Sequence, residues 1–243
     1  GDTMHVTGCH IHDIATTGIY FKGGATNCLV AGCLIVNCGG MGIGVGFDTS
    51  TEWFDTQVNP NLYESIDGVA VNNVIRGTTY AGIGIYASLR PLVAHNTVVA
   101  AAQEAQSPLF FGVAYHDWEE GAPRPPSKEP QVLNNIFVLA RNSSEPMVEI
   151  RFNDELEGLS GLEGGAELDG NCYYAPGGQA RFVDLRPGQE FEGGFDGWRN
   201  HMRSEAASMV VDPMLDQNMR LQPQSPCRDA GIPLGQPPVD RDG

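Results

Sequence analysis

The chain has 243 residues, of which 31 are glycine, 16 are proline and only 18% are charged, a composition that favours frequent turns and few helices. With 30 acidic residues against 14 basic ones and a net charge of −16, the sequence contains no Lys/Arg stripe that could neutralise phosphates, so nucleic acid is not an expected partner. No run of apolar residues approaches the roughly 20 needed to cross a bilayer, so no membrane span is expected.

Six short segments repeat one pattern: an apolar residue, Cys or Asn three positions later, and another apolar residue two positions after that. They are Val6-Cys9-Ile11, Val30-Cys33-Ile35, Ala70-Asn73-Ile75, Val93-Asn96-Val98, Val132-Asn135-Phe137 and Leu168-Asn171-Tyr173. Such a unit cannot bury its apolar side alone, so successive copies must stack and share one core. The pattern predicts a solenoid whose Cys and Asn side chains form a single interior row.

A second set of apolar residues follows these segments, in short stretches that are bounded by glycine and rich in aromatic or β-branched residues. Its members are Ile19, Ile43, Ile83, Leu109 and Met147. Stretches of this kind are typical of strands, so each coil is expected to contain at least two.

Over roughly residues 4–175 the repeated strands and the Asn row resemble right-handed parallel β-helix proteins of the pectate-lyase-like type. The resemblance implies an all-β solenoid, and interior Asn ladders are typical of it because a buried amide can donate and accept along the stack. Cys9 and Cys33 depart from the family pattern and continue the ladder as small buried hydrophobes.

The sequence divides into coils over residues 1–175 and a C-terminal capping segment over residues 176–243. The first four residues enter a coil without a capping element, so we expect further coils upstream. In the cap, residues 195–208 predict an amphipathic helix with Trp198, Met202 and Ala206 on one side. Four cysteines in repeat positions are expected to be free buried thiols, namely Cys9, Cys28, Cys33 and Cys38, and Cys172 with Cys227 is the candidate disulfide pair.

The long insertions all occur between a second-set strand and the next ladder residue. They comprise roughly residues 48–66, 114–130 and 151–167, and loops of this length are usually functional. Insertions that emerge from neighbouring coils at one corner would wall the adjacent strand face. The alternative is that loops accumulate where a solenoid tolerates them.

The strand face beside these insertions combines glycines with aromatic residues. If the second set points inward, one outward row is Tyr20, Gly44, Gly84 and Phe110, and the next is Lys22, Gly46, Tyr86 and Gly112. Glycine weakens a strand unless something approaches the backbone closely. We therefore expect a groove in which sugar rings lie against Tyr20, Tyr86 and Phe110, with Gly44 and Gly84 in its floor. The alternative is that these glycines serve packing or lie under an insertion.

Acid-base groups converge on the same rim and supply the candidate catalytic residues Lys22, Asp48, His116 and Asp117. Proton transfer on a polysaccharide requires a base and a cation that stabilises developing negative charge. Lys22 is the basic residue projected from the glycine floor, and His116 is the competing base because an imidazole ordinarily titrates near neutral pH. The arginines Arg90 and Arg151 are candidates for binding a uronate carboxylate.

The resemblance implies a lyase that cleaves uronate-containing polysaccharide by β-elimination. Two alternatives remain open: a glycoside hydrolase that uses Asp48, Asp117 or Asp154 as paired carboxylates, and a non-catalytic carbohydrate-binding or adhesive module. The resemblance also implies calcium as a candidate cofactor, a polysaccharide or oligosaccharide as partner, and a bacterial location that is extracellular, periplasmic or at the cell surface.

Overall fold

A computed structural model describes residues 2–115, 124–156 and 158–234 of the chain. Its strands form four stacked sheets, which are predominantly parallel and run along a common axis, and one separate two-stranded hairpin. The chain visits sheets I, II, III and IV in turn before starting the next coil. We number the coils 1 (residues 5–26), 2 (29–66), 3 (69–89), 4 (92–128), 5 (131–163) and 6 (from 167). The expected all-β, right-handed parallel β-helix is confirmed.

The strand bounds follow from coil to coil. Sheet I contains His5–Thr7, Leu29–Ala31, Val69–Val71, Leu92–Ala94, Gln131–Leu133 and Glu167–Asp169. Sheet II contains His10–Ile14, Leu34–Cys38, Val74–Thr78, Thr97–Ala101, Ile136–Leu139, Cys172–Tyr174 and Met209–Val210. Sheet III contains Ile19–Phe21, Ile43–Val45, Ile83–Tyr86, Leu109–Gly112, Val148–Ile150, Phe182–Asp184 and the antiparallel Phe191–Gly193. Sheet IV contains Ala25–Thr26, Ser65–Ile66, Ser88–Leu89, Ser127–Lys128 and Leu162–Glu163.

The register of the sheets matches the repeat in the sequence. The apolar residues of the six segments pair in order across sheet I and across sheet II. In sheet III, however, Leu109 pairs with Val148 and not with Met147. Met147 and Val148 are both fully buried, so hydrophobicity alone could not decide which of them occupies the row, and the prediction was off by one residue.

The interior ladder lies at the corner between sheets I and II. The carboxamide oxygen of Asn96 accepts hydrogen bonds from the backbone nitrogen of Asn73 at 3.0 Å and from its Nδ2 at 2.9 Å. Asn135 and Asn171 repeat this arrangement in the next coils, and the Cys33 nitrogen donates to Asn73 at 2.9 Å. The stacked row is therefore confirmed from Cys33 to Asn171, and each buried amide donates and accepts along it. Cys9 lies beside Cys33, with its backbone nitrogen 3.4 Å from the Cys33 sulfur, but it is exposed, so the expectation that Cys9 is buried was wrong.

Coil 6 closes the core with aromatic residues and a short helix. The helix Phe195–Met202 buries Trp198, whose ring stacks on Phe182. The helix ends six residues before the expected position because Arg203 adopts a left-handed conformation with φ of 54°. The strands Phe182–Asp184 and Met209–Val210 still add to sheets III and II, so strand pairing continues beyond residue 175.

The buried carboxylate of Glu205 lies at the end of the ladder. It accepts hydrogen bonds from the Tyr173 hydroxyl at 2.6 Å and from the Trp198 indole at 3.4 Å. Burial raises the pKa of this carboxyl above its usual range, against the lowering effect of its hydrogen-bond donors.

Within the described ranges no helix is long and apolar enough to span a membrane.

Candidate functional site

The insertions emerge at the corner between sheets III and IV, one after another along the axis. Coils 2, 4 and 5 contribute insertions there, whereas coil 3 passes from sheet III to sheet IV through Ala87 alone. The first insertion contains the 3-10 helix Thr51–Trp53, and the third contains the hairpin strands Phe152–Asn153 and Leu159–Ser160. Because coil 3 is short at this corner, the first and second insertions can meet above it.

A buried ion pair joins the first two insertions. Arg124 donates from Nε to Glu64 Oε1 at 3.1 Å, and both side chains are fully buried. Arg124 also donates to the backbone oxygen of Thr49, and its guanidinium lies 4.9 Å from the centre of the Phe54 ring. The prediction that residues 48–66 and 114–130 lie side by side is thus confirmed by direct contact.

Aromatic side chains form a continuous row on the outer face of sheet III. Tyr20 stacks on Phe47 with 5.8 Å between ring centres, Phe47 meets Tyr86 edge-to-face at 5.6 Å, and Tyr86 contacts Phe110 at 5.8 Å. Exposure falls along the row: Tyr20 is 41% exposed, whereas Tyr86 and Phe110 are each 5% exposed. The accessible end of this aromatic row therefore lies in coils 1 and 2.

The glycine floor expected from the sequence is covered by the protein's own side chains. A Cβ atom added at Gly112 would lie 1.9 Å from Cε1 of the Tyr86 ring, and one at Gly84 would lie 2.6 Å from its Cε2. Gly44 is covered in the same way by Met41 and Tyr20. These glycines make room for a packed aromatic layer, and sugar rings cannot lie directly on the backbone here. The burial that packs the Tyr86 ring also raises the pKa of its hydroxyl, which contacts Gln106.

Lys22 and Asp48 are brought together at the exposed end of the aromatic row. The Lys22 ammonium donates to the backbone oxygen of Asp48 at 2.8 Å. It also lies 5.1 Å from the centre of the Tyr20 ring and 5.8 Å from that of Phe47. Cation–π contacts of this length are attractive, so the amine is held where the aromatic surface opens to solvent.

The other predicted residues lie at a distance from Lys22 or outside the described ranges. Arg151 is half-exposed on the same face and pairs with Glu149 at 3.0 Å, but it lies four coils away, roughly 19 Å along the axis. Arg90 follows sheet IV and binds Asp67 in two hydrogen bonds of 2.8 and 2.7 Å. His116 and Asp117 lie outside the described residues. Asp154 is exposed in the third insertion.

Calcium has no cluster of side chains to bind it in the part of the chain that the structure describes. No group of three or more His, Cys, Asp or Glu residues there is suited to a metal ion. Asp48 does not belong to such a group. The candidate calcium cofactor therefore stays an expectation.

Two features of the surface were missed by the sequence interpretation. Trp53, in the first insertion, is 72% exposed. The sequence carried a signal for it, because this tryptophan follows the candidate catalytic residue Asp48 within an insertion. The second feature is a groove of about 1210 Å³ on the outer face of sheet II, lined there by residues such as Val74 and Ile136. Its opposite wall is formed by residues of the segment 217–231, and the groove extends over coils 2 to 6. We call it the C-terminal groove.

The four-sheet coil, the interior Asn ladder and the insertions at one corner define the class of parallel β-helix proteins. The family model described as "Right handed beta helix region" matches residues 1–137, which is more than half of the chain. The chain therefore belongs to this right-handed β-helix family. No curated protein matches the chain. The β-helix supports polysaccharide-active enzymes and other proteins alike, so function must be argued from the site.

Proposed function

We propose that the chain binds polysaccharide along the outer face of sheet III and cleaves uronate-containing polysaccharide by β-elimination. The observation that carries the proposal is the position of Lys22. Its ammonium contacts the rings of Tyr20 and Phe47 at the accessible end of the aromatic row. Aromatic faces bind the apolar faces of sugar rings, and a basic group beside them meets the ring that they hold.

The reaction needs a base on one sugar and a positive charge near its carboxylate. In β-elimination a base removes the proton next to the uronate carboxylate, the electron pair forms a carbon–carbon double bond, and the glycosidic oxygen leaves and takes up a proton to become a hydroxyl. Lys22 is the proposed base in its neutral amine form, and the 2.8 Å hydrogen bond from its Nζ to the backbone oxygen of Asp48 orients it. His116, which was predicted from the sequence, is the competing base.

Basic residues on this face complement an acidic chain of sugars. The protein has a net charge of −16, yet the outward row that begins with Lys22 in coil 1 ends with the exposed Arg151 in coil 5. A polysaccharide that runs along the axis would meet one cation at each end of the row. Arg151 is the proposed contact for a second uronate, because a guanidinium binds carboxylates in a fixed planar geometry.

A hydrolase finds less support on this face. Inverting hydrolases place two carboxylates about 6.5–9.5 Å apart, and retaining ones about 5–5.5 Å apart. Asp48 follows the coil 2 strand and Glu149 lies in coil 5, so they are separated by three coil spacings, roughly 14 Å. Glu149 is in addition paired with Arg151. Asp48 and Glu149 thus lack the required spacing.

The test is a panel of acidic and neutral polysaccharides, followed by ultraviolet absorbance of unsaturated uronate and by reducing-end formation. We expect both signals from a uronate polymer, and Lys22→Ala should lower turnover about 10²-fold or more while binding persists. The matched control is Lys128→Ala, since Lys128 is a half-exposed lysine of sheet IV paired with Glu163.

Each other outcome assigns a different function. Reducing ends without absorbance would indicate hydrolysis, and binding without turnover would indicate a carbohydrate-binding module. If no polysaccharide binds, or if Lys22→Ala and His116→Ala both turn over like Lys128→Ala, the proposed site is wrong. His116→Ala, measured in parallel, decides between the two bases.

A further inference from the structure

The thiols of Cys172 and Cys227 contact each other although the residues are 55 positions apart in the chain. Cys172 lies in the coil 6 strand Cys172–Tyr174 and is buried. Cys227 is half-buried in the segment that follows the last strand of sheet II. The two thiols are hydrogen-bonded to each other, and both are free. Both also line the C-terminal groove.

The backbone on each side of this contact is already fixed by hydrogen bonds. The Cys172 nitrogen donates to the Asn135 oxygen at 2.8 Å, within the stack of coils. The Cys227 nitrogen donates to the Ser225 hydroxyl at 3.1 Å, and that hydroxyl donates to the Pro213 oxygen at 2.6 Å. The backbone that carries each of the two sulfur atoms is thus held in place by hydrogen bonds.

A second anchor holds the same C-terminal segment to the solenoid. The carboxamide of Asn134 donates to the Ile232 oxygen at 2.9 Å and accepts from the Ile232 nitrogen at 2.8 Å. Cys227 lies between this anchor and Ser225 in the sequence, so its position is restricted from both sides. Ile232 and Leu234 also pack against buried residues of sheet I, and a covalent link at Cys227 would add to these contacts.

The two thiols differ in their pKa and in their accessibility. Their mutual hydrogen bond lowers the pKa of Cys227, whereas that hydrogen bond and burial raise the pKa of Cys172. The thiolate is the attacking species, and Cys227 is also the more accessible of the two. Cys227 is therefore the entry point for an oxidant, and Cys172 is the resolving thiol.

We propose that Cys172 and Cys227 form an intramolecular disulfide that fixes the C-terminal segment to coil 6. The oxidant is a small disulfide such as oxidised glutathione. The Cys227 thiolate attacks one of its sulfur atoms and releases one glutathione thiolate, which takes up a proton. Cys172 then loses its proton and attacks the Cys227 sulfur, which releases the second glutathione. Two protein thiols are oxidised and one glutathione disulfide is reduced to two thiols.

The disulfide would restrain one wall of the C-terminal groove. Residues 217–231 form that wall, and a link at Cys227 closes a loop of 55 positions back onto sheet II. A disulfide that closes a long loop stabilises a protein mainly by restricting the unfolded chain. The oxidised protein should therefore resist both thermal unfolding and proteolysis of its C-terminal segment better than the reduced protein.

The test oxidises the folded protein with glutathione disulfide and maps its thiols by mass spectrometry under non-reducing conditions. All variants carry Cys9→Ser, because exposed Cys9 also contacts a neighbouring cysteine, with its backbone nitrogen 3.4 Å from the Cys33 sulfur. We expect one linked pair, Cys172 with Cys227, two hydrogens lighter than the reduced form. We also expect a higher melting temperature and slower proteolysis after residue 211.

Two control variants separate the link from other effects of oxidation. Cys227→Ser and Cys172→Ser should each abolish the gain in melting temperature on oxidation, and the reduced Cys227→Ser protein should melt close to the reduced parent. Accumulation of a glutathione adduct at Cys227 without a bond to Cys172 would overturn the proposal. So would formation of the bond without any gain in melting temperature or protease resistance.

Discussion

Glu64 and Arg124, which are 60 positions apart in the chain, form a fully buried ion pair between two insertions of the solenoid, with 3.1 Å between Oε1 and Nε. The other carboxylate oxygen of Glu64 accepts from the Gly23 nitrogen at 2.9 Å and from the Thr49 hydroxyl at 2.6 Å. One carboxylate therefore connects coil 1, the first insertion and the second insertion. The corner beside the aromatic row depends on this connection.

Removal of one partner of this pair should be strongly destabilising. Glu64→Ala or Arg124→Ala leaves a buried charge without compensation, and we expect a loss of about 3–5 kcal/mol in the free energy of unfolding. The double variant should lose less than the sum. The matched control is the exposed pair of Arg90 and Asp67, where Arg90→Ala should cost under about 1 kcal/mol. Denaturant unfolding measures all of these, and additive losses would contradict the coupling.

The Asn ladder should depend on each of its members. Asn96→Ala removes the acceptor of two donors from Asn73, and each buried donor without a partner costs about 1–3 kcal/mol. Thermal unfolding should show a large decrease in melting temperature. Gln103→Ala is the control, because Gln103 is exposed and makes a hydrogen bond of 3.3 Å to a backbone oxygen. Equal melting temperatures in both variants would mean that the ladder does not stabilise the fold.

Glu205 should make stability depend on pH. Burial raises the pKa of its carboxyl in the folded state, so folding favours the protonated form. This contribution is complete below the unfolded pKa of about 4.3 and is lost as pH rises through the folded-state value. The native protein should therefore lose stability relative to Glu205→Gln as the pH rises above about 4.3.

The measurement for Glu205 is the free energy of unfolding of both proteins across that pH range. Only the difference between the two curves is informative, since other carboxyls titrate in both proteins. Glu104→Gln, on the exposed surface, is the control. A constant difference between the native protein and Glu205→Gln would contradict the expected pH dependence.

The exposed end of the aromatic row should bind sugar. Tyr20→Ala removes a ring that is 41% exposed beside Lys22, and we expect a loss of about 0.5–1.5 kcal/mol, or roughly 2- to 10-fold in affinity. Tyr80→Ala is a matched control, because Tyr80 is also 41% exposed and is not part of the row. Titration calorimetry with the polysaccharide that binds best compares them. Similar losses in both variants would remove the aromatic row from the binding site.

Much of the fold was predictable because it rests on a period that each coil repeats. The register of the first two sheets and the Asn ladder follow from the requirement that apolar residues and amides of successive coils meet in the interior. The same reasoning failed by one residue at Met147, where two adjacent buried apolar residues satisfy it equally. It also extended the helix beyond Met202, because the left-handed backbone at Arg203 gives no periodic signal.

The candidate site was predictable only in part. Spacing alone placed the insertions at one corner, and alternation alone placed Tyr20, Lys22 and Tyr86 on one face. Whether the glycines were accessible to a ligand depended on the orientation of the Tyr86 ring. A glycine in a strand can make room either for a bound ligand or for a neighbouring side chain. Only the folded chain shows that the protein's own ring fills that space.

The sequence by itself determined the solenoid, its interior ladder and the corner at which its loops emerge, since these follow from short-range patterns repeated along the chain. The tertiary structure decided the pairing of Glu64 with Arg124 and the formation of the C-terminal groove. Each such contact joins residues of different coils or segments and occurs only once among the described coils. No period in the sequence specifies them, because each depends on how side chains pack after the coils have stacked.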